Sequence, residues 1–72
     1  MAYNTKYENV RRDSLRYAED LKQSIVDGTL NDSACEDLLE SFIVSKLSSQ
    51  SARSKIMDES LTVIRSRKFL SD

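Results

Sequence analysis

Histidine and proline are absent from this chain of 72 residues, and glycine and cysteine occur once each, as Gly28 and Cys35. Each absence removes a class of solution. Without histidine there is no ordinary general base near neutral pH, no Ser-His or Cys-His pair, and no Cys/His cluster for zinc. One cysteine cannot close an intrachain disulfide, and one glycine cannot make a phosphate-cradling loop. The shortage of turn formers also argues against a fold of many short strands. What remains is a chain of long helices joined by few turns. The expectation is a protein that is not an enzyme, with no cofactor, no metal and no small-molecule substrate.

A strong excess of either charge is missing as well. The net charge is −1, from 11 basic and 12 acidic residues, so no global field draws the chain to nucleic acid or anionic lipid. The signs are nevertheless separated along the sequence. Asp27, Asp32, Glu36, Asp37 and Glu40 follow one another with no base between them, whereas Arg53, Lys55, Arg65, Arg67 and Lys68 outnumber Asp58 and Glu59. No apolar run approaches membrane-spanning length, and Met1 to Asn4 lacks the features of a secretory leader. A lone cysteine of core character suits a reducing compartment, so a cytoplasmic setting is expected.

What is present is helical periodicity. Thr5 and Glu8 fit a capping box, and Tyr7, Val10, Ser14, Tyr17, Ala18, Leu21 and Ile25 follow the spacing of an amphipathic helix over 5–26. On its opposite face Glu8 precedes Arg12, and Arg16 precedes Asp20, by four residues each, as on a solvated surface. Gly28 stands where a left-handed cap is wanted. Ser33 and Glu36 fit a second capping box opening a helix over 33–47, with Asn31 and a Leu30 staple as the alternative start. Cys35, Leu38, Leu39, Phe42, Ile43 and Leu47 cover about half its circumference, enough for two neighbours. The serine-rich stretch from Ser48 to Lys55 favours a break, because serines compete with helix for their own backbone. A third helix is expected over 52–70, with two apolar strips, Met57/Leu61/Ile64 and Ile56/Val63/Leu70.

The fold class is therefore all-α: one domain over 1–72, a helical hairpin plus a third helix, resembling a three-helix bundle. A chain this short buries only about 60% of its unfolded surface, and ordering it costs roughly 1.5 kcal/mol per residue. With disulfide and metal excluded, completion by oligomerisation is expected, a homodimer being favoured. The function this suggests is an adaptor, inhibitor or regulator that binds a partner protein through amphipathic helix faces, the third helix supplying much of the contact. Candidate contact residues are Tyr17, Val44, Ile56, Val63, Arg67, Phe69 and Leu70, since aromatic and arginine side chains commonly anchor interfaces. The alternative is a nucleic-acid-binding regulator using Arg53, Lys55, Arg65, Arg67 and Lys68. A helix-turn-helix would, however, want apolar residues where Ser49 and Ser54 stand. A structural subunit of a larger assembly is the third reading.

Overall fold

In the computed structural model the chain is described over residues 2–66, with side chains from 5 to 66. Three helices account for almost all of it: α1 (Ala2–Asp27), α2 (Asp32–Lys46) and α3 (Gln50–Arg65). At 1.5 Å per residue the 26 residues of α1 span about 39 Å. That matches the long axis of a molecule measuring 41 × 20 × 16 Å. Tyr17 meets Phe42 and Leu21 meets Cys35, so numbers rise on α1 as they fall on α2 and the two helices run antiparallel. By the same reasoning α3 reverses α2, because Ile64 lies near Glu36 and Arg53 near Val44. The result is an up-down-up bundle.

The turns follow from particular residues. Gly28 takes φ 83°, and its N–H donates to Ile25 O while Thr29 N–H donates to Ser24 O, both at 3.0 Å. This crossed pair is a Schellman cap, which requires the left-handed conformation that glycine adopts without penalty. Thr29 Oγ1 adds a further bond to Ser24 O. The start of α2 differs from the favoured reading. Asn31, not Ser33, is the cap, its Oδ1 accepting from Ala34 N–H at 2.8 Å. The chain leaves the Schellman turn and enters α2 at the first residue able to cap it, which places Ser33 inside the helix. Thr5 is likewise inside α1, which begins at Ala2.

The break between α2 and α3 lies at 47–49. Leu47 is extended, at φ −128° and ψ 140°, and stays buried. Ser49 Oγ then accepts from Ala52 N–H and opens α3. Serine thus ends one helix by capping the next, and neither glycine nor proline is needed. The last described turn closes with Ser66 Oγ donating to Val63 O at 2.6 Å.

The core comprises Val10, Ala18 and Leu21 from α1, Cys35, Leu39 and Ile43 from α2, Leu47, and Ile56 and Ile64 from α3. Two apolar readings are corrected here. Leu38, expected in the buried stripe of α2, is 42% exposed, because the core takes only the narrower set Cys35, Leu39, Ile43 and Leu47. The two strips of α3 are one face. Ser60 lies between them and is fully buried, so Ile56, Ser60 and Ile64 form the centre, with Met57, Leu61 and Val63 at its flanks. Over the described residues both strips pack against the chain's own core, and Leu70 lies outside them.

Candidate functional site

Helix α2 is the element around which concave surface gathers, with a groove along each flank. Towards α3, Ile43 forms the floor of a groove of about 310 Å³, with Val44 and Glu40 on one wall and Arg53, Ser54 and Met57 on the other. Val44 is 47% exposed. The Arg53 Nε is sealed from solvent and has no hydrogen-bond partner. A buried N–H without an acceptor destabilises, more so when it belongs to a charged group. Arg53 also sits one helical turn before Ile56 and one before Met57, so the same face of α3 carries both the orphaned donor and core side chains.

Towards α1, a second and more open groove of about 310 Å³ is lined by Tyr17, Phe42, Lys46, Arg16, Asp13 and Asp20. The rings of Tyr17 and Phe42 lie 5.2 Å apart, tilted by 52°, and Lys46 Nζ stands 5.5 Å from the centre of the Phe42 ring. Each ring is half-buried. The shelf is therefore apolar at its base, where the two aromatic rings pair, and carries both signs of charge at its rim. A cation over the ring face is favoured electrostatically.

The residues expected at a partner surface are dispersed by the fold. Tyr17 joins the aromatic shelf and Val44 the rim of the α3-side groove. Val63 is half-buried against the core. Ile56 is fully buried and has no surface to offer a partner, because Ser60 between the strips lets that whole face turn inward. Arg67, Phe69 and Leu70 lie outside the described residues. Among the basic candidates, Lys55 and Arg65 are exposed, ten positions apart on α3, while Arg53 is half-buried along the groove. Lys68, like Arg67, lies outside the described residues.

Sequence reasoning missed Phe42 and Lys46 as surface groups: their i, i+4 spacing was visible, but their place beside Tyr17 was not. It also assigned Arg11 no contact. Arg11 Nε instead donates to Glu59 Oε1 at 2.7 Å and ties α1 to α3. That hydrogen bond, and then the attraction of the carboxylate, hold the guanidinium above its ordinary pKa. Arg12 turns to Asn9 Oδ1 at 3.0 Å.

Among the described residues no three His, Cys, Asp or Glu side chains converge where a metal ion could be held, and no helix is long and apolar enough to cross a membrane. The Cys35 thiol is buried and donates to Leu21 O at 3.7 Å. Comparison with protein-family models, with curated proteins and with solved structures finds no match for this chain.

Proposed function

We propose that this chain is a small non-enzymatic adaptor, inhibitor or regulator that binds a partner protein through its helix faces, masking or bridging that partner in fixed stoichiometry. The observation that carries the reading is the shelf of Tyr17 and Phe42 with Lys46 above it. Aromatic and cationic side chains in a preorganised hollow are the groups that concentrate binding energy at protein interfaces. Asp13, Asp20 and Arg16 at the rim would set orientation and association rate more than affinity. The contact surface is thus centred on α2 and its flank with α1, whereas the sequence alone pointed to the third helix. A reducing, cytoplasmic setting suits the single buried thiol.

The test is recovery of partners on the tagged chain from its native lysate, with and without nuclease, beside the exposed charge reversal Lys46→Glu. One protein in fixed ratio, insensitive to nuclease and reduced roughly tenfold by the reversal, is the expected outcome. Recovery that collapses with nuclease would replace this reading by nucleic-acid binding through the basic residues of α3.

A further inference from the structure

Of the large apolar side chains the fold leaves exposed, Leu38 and Val44 belong to α2. With Cys35, Leu39, Ile43 and Leu47 turned to the core, the outward line of α2 passes through Ser41. At 100° per residue Leu38 and Val44 lie about 60° to either side of it. Their numbers are symmetric about 41, so the pattern reads the same from both ends.

We infer that this outward face of α2 pairs with the same face of a second copy, antiparallel across a two-fold axis at Ser41, and that Asp37 of each copy enters the groove holding Arg53 of the other. The symmetry is that of an isologous interface, in which one patch complements itself.

Charge selects the antiparallel arrangement. Asp32, Glu36, Asp37 and Glu40 all precede Ser41 on α2, and Lys46 follows it. Parallel pairing would set Asp37 against Asp37 and align the helix dipoles, whereas antiparallel pairing opposes the dipoles and lays the acidic half of each helix on the other's non-acidic half. Asp37 and Val44 fall on the same side of the Ser41 line, towards α3. The two-fold carries Asp37 of one copy to the level of Ser45 in the other, one residue from Val44 and beside the groove that Val44 shares with Arg53. Asp37 is exposed, and the half-buried Arg53 lines that groove, so a carboxylate of one copy meets the guanidinium of the other, twice per dimer. Ser41 and Ser45 are small enough for the helices to approach, with Leu38 of each copy packing over them.

The arrangement bears on the proposed function, on which this consequence rests. An axis perpendicular to both α2 helices keeps the α1 flanks on one side of the dimer, so both Tyr17–Phe42 shelves open on the same face. A partner with two matching sites would then be held bivalently, and its second contact would form at high effective concentration.

Sedimentation equilibrium over micromolar to millimolar chain concentrations tests the inference, with circular dichroism to verify that each variant folds. The wild-type chain is expected to dimerise. Val44→Glu should abolish dimerisation, and Asp37→Arg should weaken it roughly tenfold or more. Combining Asp37→Arg with Arg53→Asp should restore it, since the reversed pair again complements. Because Arg53 is half-buried, an independent reading comes from Ser41→Cys, which should form a covalent dimer under mild oxidation while Gln23→Cys on exposed α1 does not. A monomeric wild-type chain at millimolar concentration, or a dimer indifferent to Asp37→Arg and not trapped by Ser41→Cys, overturns the inference. Partner recovery distinguishes the two proposals: a monomer that still captures its partner leaves the adaptor reading standing, and a dimer with no partner removes that reading alone.

Discussion

The hydroxyl of Ser60 is sealed at the centre of the α3 face with no hydrogen-bond partner, and that of Ser14 on α1 is in the same condition. Such groups lose water without compensation. Ser60→Ala removes the hydroxyl while opening almost no cavity, and is expected to stabilise the fold by about 1 kcal/mol. In a domain of this size that raises the thermal midpoint by about 4–8 °C, readable by circular dichroism. The two leucines next to one another in α2 provide the opposite contrast. Leu39 is fully buried and Leu38 is not. Leu39→Ala should cost about 2–5 kcal/mol in urea unfolding through lost burial and the cavity it leaves. Leu38→Ala should stay within about 0.5 kcal/mol under conditions where the chain is monomeric.

Helix ends yield a second pair of contrasts. Because Asn31 Oδ1 is the acceptor for Ala34 N–H, Asn31→Ala is expected to cost about 0.5–2 kcal/mol. Ser33→Ala should be nearly silent, since Ser33 lies exposed within the first turn. The reverse order in urea unfolding would return the cap to Ser33. At the other side of the turn, a Cβ on Gly28 would meet nothing within 4 Å. The cost of Gly28→Ala is therefore conformational alone, about 1–2 kcal/mol for an L-residue held at positive φ. A markedly larger loss would mean that the turn packs against more than its own backbone.

For the bundle as a unit, the lack of histidine has a direct thermodynamic consequence. Imidazole is the side chain whose ordinary titration falls between pH 5 and 8, so folding stability should be flat from about pH 5.5 to 7. The Arg11–Glu59 pair does not alter this. Its guanidinium pKa is raised in the folded chain, so the associated stability is complete below the unfolded value and is lost only as pH rises through the folded one, in strong alkali. Thermal melts across the neutral range check the point, and a slope there would expose a group whose titration the fold has moved. The pair is on the surface, with the two side chains 38% and 44% exposed. Added salt should therefore screen it.

Local chemistry was legible from the residues alone. The helices, the left-handed cap at Gly28 and the break in the serine stretch all depend on interactions within a few positions: backbone hydrogen bonds, side-chain caps and the spacing of apolar groups. So did the stripe of α1, because one helix of regular period presents one face. Periodicity fixes the angle between side chains on a helix but not how far a neighbour wraps around it. For that reason Leu38 read as core and is exposed, and the two strips of α3 are, over the described residues, one face with Ser60 between them. Ile56 was thereby taken from the list of contact residues. The pairing of Arg11 with Glu59, the orphaned Nε of Arg53 beside Val44 and the shelf of Tyr17, Phe42 and Lys46 join residues far apart in the chain. Only the crossing of three helices decides which of those side chains share a space, and no period in the sequence encodes it.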